Sequence, residues 1–365
     1  MMQKSTKKMQ VWKKILFGII SVLCIFALAY GLLLLYLTAT EYKPEATEKL
    51  ALAGEAAQKE ISLGDSLKIM TWNVGYGALG DNADFFMDGG SHVNTADQTR
   101  VSLNLEGISR ELKAVSPDVV FLQEVDRDSA RSHYLDEMLS ITDKISGYQN
   151  VFAYNYKTAF IPYPWPPIGK VQSGILTLSR YQIADAERVQ LPCPFSWPIR
   201  LAQLKRCLMI NRIPIAGTNH ELVLVNLHLE AYDDGEGKKA QTQMLRSLLQ
   251  KESDAGNYVI AGGDFNQTFS NTDISAFPVF TGKWHAGSIA IQDFGSAWQM
   301  RMDSANPSCR SLDQPYIGSD KKNFQYYVID GFIVSANIQI NSCRTQNLQF
   351  QNSDHNPVVM EVTLK

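Results

Sequence analysis

Side chains able to hold a metal or move a proton recur at one kind of place in this sequence, the ends of short apolar runs. Asn73 closes LKIMTWN and Glu124 closes DVVFLQE. His228 stands near the end of ELVLVNLHL, and Asp264 and Asn266 follow NYVIAGG. Asp330 lies inside YYVIDGFIV, while Asp354 and His355 immediately precede PVVMEVTL. A carboxylate at the end of a buried run is costly to desolvate alone, so it demands a counter-ion, hydrogen bonds or a metal. Brought together, such carboxylates and amides make an oxygen-rich site suited to Mg²⁺ or Mn²⁺. The histidines among them suit proton transfer or stabilisation of a charged phosphate.

Elements must hold those run ends in place. Short apolar runs bounded by polar residues read as buried strands: residues 67–73, 118–124, 174–179, 221–229, 257–265, 326–334 and 357–364. Between the first two, Val101, Leu105, Ile108, Leu112 and Val115 recur at 4-3-4-3 spacing, which predicts one apolar helical face. A second helix around residues 236–252 turns Met244, Leu245, Leu248 and Leu249 inward. Residues 161–200 hold seven of the 14 prolines, with Trp165, Phe195 and Trp197 among them. Proline interrupts strand pairing, so irregular loops should flank GILTLS. Strands and helices persist to the final residues with no linker, which predicts one α/β domain over residues 67–365.

The N-terminus has a different character. Residues 1–14 carry five lysines and no acid, and residues 15–40 carry no charge at all. That run exceeds the roughly 20 residues needed to cross the hydrocarbon core and the 7–15 of a signal-peptide core, so it predicts an uncleaved transmembrane helix. Lysines before the run place the N-terminus in the cytoplasm and the remainder outside, as a single-pass protein of the cytoplasmic membrane. Residues 41–66, rich in Ala, Glu and Lys, read as a stalk. The net charge of −3 leaves −8 beyond residue 14 (−3 minus +5), which excludes a broadly basic nucleic-acid wrapper, and 45% hydrophobic content excludes a disordered chain. Beyond Cys24 in the span, four cysteines permit two disulfides, locally Cys193 with Cys207 and Cys309 with Cys343, or four free thiols.

The ordered set TWNVGYG (71–77), DVVFLQEVD (118–126), SGILTLSR (173–180), VNLHLE (225–230), GGDFNQT (262–268), YVIDGF (327–332) and SDHNPV (353–358) resembles the endonuclease/exonuclease/phosphatase superfamily across residues 67–365. The resemblance implies a four-layer α/β sandwich: two mixed β-sheets packed face to face, helices outside, and the site at one edge. It implies a phosphoric ester hydrolase dependent on Mg²⁺ or Mn²⁺. By matching motif, Glu124 is the principal metal ligand with Asn73 beside it, and Asp354 assists. Asp264 orients or deprotonates the attacking water, Asn266 holds the phosphate, His355 contacts the phosphoryl oxygen, and Asp330 orients His355. His228 matches a histidine of the deoxyribonuclease and sphingomyelinase branches that can protonate the leaving group; abasic-site endonucleases lack it. One departure stands out. Several relatives place a second acid soon after the asparagine, whereas Val74 and Gly75 follow Asn73 here, leaving Asp81, Asp84 or Asp88 of the next loop as possible substitutes.

The expected function is therefore metal-dependent hydrolysis of a phosphate ester, most simply a phosphodiester, in a membrane-tethered domain. The Trp165 and Phe195-Ser196-Trp197 loops suit a lipid-headgroup or envelope substrate. Lys157, Lys170, Arg180, Arg200, Lys205 and Arg206 are the basic residues that an extracellular nuclease acting on DNA or RNA would use instead. A catalytically inactive binding module is the third reading.

Overall fold

The computed structural model describes residues 2–58, 60–233 and 235–365. The elements begin with helix α1 (Met2–Ala39) and three short strands, β1 (Thr47–Lys49), β2 (Leu52–Gly54) and β3 (Ile61–Ser62). Then come β4 (Ser66–Asn73), α2 (Gln98–Val115), β5 (Val119–Asp126), α3 (Glu137–Thr142), β6 (Gln149–Ile161), β7 (Gly169–Ser179) and β8 (Asp185–Gln190). Next are β9 (Cys207–Ala216), β10 (Glu221–His228), α4 (Glu236–Asp254), β11 (Tyr258–Asp264), β12 (Gln267–Phe269) and β13 (Gly287–Ile289). The chain ends with β14 (Trp298–Arg301), β15 (Cys309–Arg310), β16 (Tyr326–Tyr327), β17 (Asp330–Ser335), β18 (Ile338–Thr345) and β19 (Val358–Leu364).

Two mixed sheets result. One runs β1-β8-β9-β10-β11-β17-β14, with β3 added to β9; the other runs β18-β19-β4-β5-β7-β6-β2. They face each other across Ile69, Val119, Phe121 and Ile175 on one side and Met209, Leu224, Ile260 and Phe332 on the other. Helix α2 covers the outer face of the second sheet through Val101, Leu105, Ile108 and Leu112. Helix α4 covers the first through Leu245 and Leu249, with Met244 and Leu248 half-buried beside them. Both helical faces are the ones the spacing predicts, and the four-layer sandwich is the expected fold.

Because strand side chains alternate, each buried strand sends one set of residues inward between the sheets and the other outward beneath a helix. The inward set starts apolar and turns polar towards one edge. On β5 it reads Val119, Phe121, Gln123; on β10, Leu222, Leu224, Asn226, His228. There Gln123 Nε2 donates to Asn226 Oδ1 at 2.9 Å, and Asn226 Nδ2 donates to Leu176 O at 3.0 Å. Thr71, Thr177 and Asn211 complete this buried network across the two sheets. Gln123 and Asn226 lie within the recognised motifs, yet their amides pin the sheets to each other.

One expectation changes, and one open alternative resolves. The segment 41–66 is no free stalk: β1 pairs with β8, β2 with β6 and β3 with β9, so it is stitched to the edges of both sheets. Lys49 Nζ adds an ion pair to Asp185 at 2.6 Å. The local disulfides do not form either, and Cys193, Cys207, Cys309 and Cys343 are free thiols. Cys207 points into the core between the sheets while Cys193 lies in the proline-rich loop; Cys309 sits on β15 and Cys343 on β18 of a different sheet.

Asn226→Ala leaves the Gln123 amide and the Leu176 carbonyl buried without partners and opens a small void. It should cost about 2–4 kcal/mol in urea unfolding, whereas substitution of a solvent-facing α4 residue such as Ser247→Ala should cost under about 0.5 kcal/mol.

Candidate active site

The polar ends of the inward-facing rows converge at one edge of the sandwich. His228 is paired with Asp264 across β10 and β11, and Asp264 with Asp330 across β11 and β17. Gly262 and Gly263 make that register possible. A Cβ on Gly263 would fall 1.9 Å from Leu227 O, and one on Gly262 would fall 2.5 Å from the Phe332 ring, so no larger residue fits the close approach. The strand ends at Asp264, one residue short of the 257–265 run that reads as a strand. The Asn266 N–H donates to Asp264 Oδ1 at 2.9 Å, and Asn266 takes φ +51°, forming an Asx turn. Asn266 Nδ2 then donates to Leu229 O at 2.9 Å, and both side chains still line the same cavity.

Glu124 reaches the site by a different route. By alternation it belongs to the outward row of β5. The β5–β7 pairing breaks register between Leu122 and Val125, and Glu124 adopts φ +55°. This bulge turns the carboxylate to the edge at a backbone cost of about 1–3 kcal/mol. Asn73, at the end of β4, donates from Nδ2 to Glu124 Oε1 and to Asp264 Oδ2, each at 3.1 Å. Its Oδ1 accepts the Gly75 N–H at 3.0 Å, so in this arrangement the side chain bridges two carboxylates and turns its oxygen to the backbone.

The loop carrying Asp354 and His355 is sewn onto β4. Trp72 Nε1 donates to His355 O at 2.8 Å, and Ser353 Oγ donates to Asn73 O at 2.8 Å. Gly75 explains the missing acid after Asn73. A Cβ there would lie 2.8 Å from Asp354 Oδ1, so the Asp354 carboxylate occupies the space beside the loop that a side chain would need. Of the three loop acids, Asp81 binds Arg100 and Asp84 binds Ser91 and His92, whereas Asp88 lines the cavity with Glu124 and Asp354.

The electrostatics divide the titratable groups. Burial, opposed by His355 and aided by Glu124, pushes Asp354 up to about 6. Burial together with the Asp354, Asp313 and Glu124 charges pushes Asp88 up to about 7. Burial and then the Asp330 charge push Asp264 to about 7. His228 is held well below its ordinary value by burial, with Arg206, His355 and Arg131 adding to the effect, and is neutral. His355 is the opposite case. Burial opposes its charge, but Cys309 and Asp330 favour it and it rises well above its ordinary value. Since burial pushes the Cys309 thiol itself up to about 12, the charge that holds the imidazolium is that of Asp330, whose Oδ2 lies 2.9 Å from His355 Nδ1. Asp264 Oδ2 lies 3.4 Å from His228 Nε2 and 3.8 Å from His355 Nε2.

A surplus of buried carboxylate oxygen, with neighbouring acids raising one another, suits a hard divalent cation. Among the described residues, Cys309/Asp354/His355 and Asp264/Asp330/His355 each bring potential ligand atoms within 4.8 Å of one another. The neutral thiol and the ion-paired imidazolium make poor ligands, so Asp354 with Glu124 remains the donor pair most open to such an ion. Cys309 and the inter-sheet amides are the neighbours to which motif reading gave no role, and Asp88 is the one of the three offered loop acids that reaches the cavity.

A family model described as "Endonuclease/Exonuclease/phosphatase family" matches residues 70–355. Among solved structures, an endonuclease/exonuclease/phosphatase from Bacteroides vulgatus is similar at 14% identity and TM-score 0.52, over 82% of this chain and 100% of that one. One from Beutenbergia cavernae is similar at 18% identity and TM-score 0.50, over 82% and 72%. A protein of unknown function from Enterococcus faecalis is similar at 16% identity and TM-score 0.50, over 82% and 100%. At these identities the likeness is one of fold. No curated protein matches.

Asp330→Asn removes the counter-charge of His355 and leaves the imidazole buried, so its pKa should fall below its ordinary value. Histidine NMR of the variant against wild type should show one resonance losing its proton at a lower pH, and an unchanged titration would refute the pairing.

Proposed function

Because the chain belongs to the endonuclease/exonuclease/phosphatase family, whose members are in the main metal-dependent phosphoester hydrolases, we propose that it is a phosphodiesterase acting from a membrane-tethered domain. The observation that carries this reading is the Asn73 amide clamping Glu124 and Asp264 within reach of the Asp330–His355 pair. Glu124 and Asp354 would hold Mg²⁺ or Mn²⁺. The ion would polarise the phosphoryl group and offset charge on the leaving oxygen. Asp88 supplies a third carboxylate, and Asn73 positions Glu124 and Asp264 rather than ligating.

In the proposed reaction water attacks phosphorus in line, its proton passes to Asp264, and the bond to the leaving oxygen breaks. Asn266 holds a phosphate oxygen. His355, charged and fixed by Asp330, stabilises the phosphoryl oxygens. His228 begins neutral, 3.4 Å from Asp264, so we assign it to orienting the Asp264 carboxylate rather than to protonating the leaving group, which departs as an oxyanion and takes its proton from solvent. A dead binding module is disfavoured, since such a module has no need of this arrangement.

Helix α1, long and apolar enough over Met9–Ala39 to cross a membrane, supports a single-pass anchor with the N-terminus inside and the domain outside. The substrate reading leans towards a lipid-headgroup or envelope phosphodiester. The nuclease reading would need free cations, yet four of the six candidate basic residues are ion-paired, while Lys157 and Arg180 meet aromatic rings and hydroxyls rather than acids. Arg200 and Lys205 pair with Glu41, Arg206 with Glu230 and Lys170 with Asp128.

Purified protein should hydrolyse bis-p-nitrophenyl phosphate only with Mg²⁺ or Mn²⁺. Glu124→Gln should lower that activity by about a hundredfold with unfolding unchanged. Full activity in EDTA would overturn the metal assignment. The acceptor form of Asp264 is its carboxylate, which is lost as pH falls through about 7. Activity should therefore fall on the acid side with a midpoint at or below that value, lower still as the bound cation favours ionisation. His228→Ala should cost the same factor for p-nitrophenolate and for an alkoxide leaving group. A selectively larger loss on the alkoxide would restore its role as an acid.

A further inference from the structure

The site lies at one end of a cavity of about 790 Å³ whose other end is not made by the domain. It is made by Leu33, Leu34 and Leu37 of α1. Between the two ends the walls are mainly apolar, with Phe86, Met87, Ile161 and Ile199 among the lining residues and Arg131 and Arg206 nearer the site. On α1, Leu37 is buried against this wall and Leu33 and Leu34 are half-buried, while the apolar stretch below them is exposed. In a bilayer, that exposed stretch would be covered by acyl chains, and the half-covered leucines would sit where those chains meet the cavity mouth.

Several contacts fix the height of this mouth. Glu41, 4% exposed, takes Arg200 Nε at 3.2 Å and Lys205 Nζ at 3.3 Å, which locks the helix end to the 198–206 loop. Trp197 Nε1 donates to Thr38 Oγ1 at 3.2 Å one turn below. Trp165, Tyr163 and Trp197 are 89%, 72% and 51% exposed, on loops beside the same opening, as interfacial aromatics would be. From Leu33 to Thr40 a helix rises about 10 Å, so the mouth opens into the outer half of a hydrocarbon core about 30 Å thick.

We propose, resting on the phosphodiesterase reading above, that the substrate is a bilayer lipid that enters sideways from the outer leaflet through the seam between α1 and the domain. Its phosphate reaches Glu124, Asp264 and His355 while its acyl chain stays in the apolar seam against Leu33, Leu34 and Leu37. A soluble phosphodiester has no use for an apolar corridor that ends on a membrane helix. A nucleic acid would find four of its six candidate cations already ion-paired and a mainly apolar path to the site.

The full chain, reconstituted in vesicles of phosphatidylglycerol, phosphatidylethanolamine and cardiolipin, tests this with two substrates in one preparation. Turnover of bis-p-nitrophenyl phosphate reports the phosphodiesterase reading alone, and its absence would sink that reading. Release of lipid headgroup or diacylglycerol reports the lateral route. Leu33→Trp and Leu34→Trp fill the seam and should lower the ratio of lipid to soluble turnover by about tenfold. Leu32→Trp and Leu35→Trp, on the exposed side of α1, should leave the ratio alone. Equal ratios in all four variants, or soluble turnover with no lipid hydrolysed, would overturn the proposal. Binding is read separately with vesicles carrying a phosphatidylglycerol bearing a photoreactive acyl chain, in chelator so that nothing turns over. Adducts on residues 33–37 together with 86–87 are expected. Adducts confined to α1 below residue 30 would overturn the route even if the tryptophan variants proved unstable.

Discussion

One side-chain amide ties the two halves of this molecule together where charge is most crowded. Asn73 ends a strand of one sheet and donates to Glu124 of the same sheet and Asp264 of the other. Without those two N–H groups, two carboxylates from facing sheets would meet in a buried space with nothing between them, at a cost of several kcal/mol. The amide's other end is taken by Gly75, so its orientation is fixed by the chain that follows. Everything else at the edge is built outward from that point: Ser353 binds Asn73 O, Trp72 binds His355 O, and His355 binds Asp330.

The sandwich prepares this crowding by a simple gradient. The rows of side chains that face between the sheets are apolar over most of their length, turn to amides and hydroxyls at Thr71, Gln123, Thr177 and Asn226, and end in carboxylates and a histidine. Intermediate polarity matters because an amide both donates and accepts, so each can satisfy a neighbour from the opposite sheet. The same amides hold the sheets at one spacing and one register. That precision matters at the edge, where a shift of one residue would send His228, Asp264 and Asp330 to the outer faces.

This gradient is also why so much was legible in the sequence. Asn73, His228, Asp264 and Asp330 all continue an alternation that the apolar residues of their strands announce, and the α2 and α4 faces follow the helical period. Glu124 breaks the pattern. Alternation assigns it outward, and only a bulge with a left-handed backbone brings it round, so motif likeness could name it where periodicity could not. The segment 41–66 reads as a stalk in sequence because its Ala, Glu and Lys favour a helix or a solvated linker. Pairing to exposed sheet edges overrode that preference, as tertiary context does for short strands. Gly75 is legible only in retrospect: its missing side chain makes room for the Asp354 carboxylate, which arrives from a distant part of the sequence.

The placing of α1 follows from the same economy of charge. Arg200 and Lys205, which read in sequence as part of a basic surface, are spent on Glu41, the first residue beyond the uncharged run. A flexible stalk would have left the domain free to turn its site in any direction. Edge strands β1, β2 and β3 and the Glu41 pairs instead set α1 against the domain in one orientation, with the cavity mouth at the helix. Fixing that orientation costs the entropy of a loose linker and exposes apolar wall where a soluble enzyme would carry polar residues. Both costs are offset only if the surface facing the mouth is itself apolar, which is what the proposed membrane anchor would supply along α1.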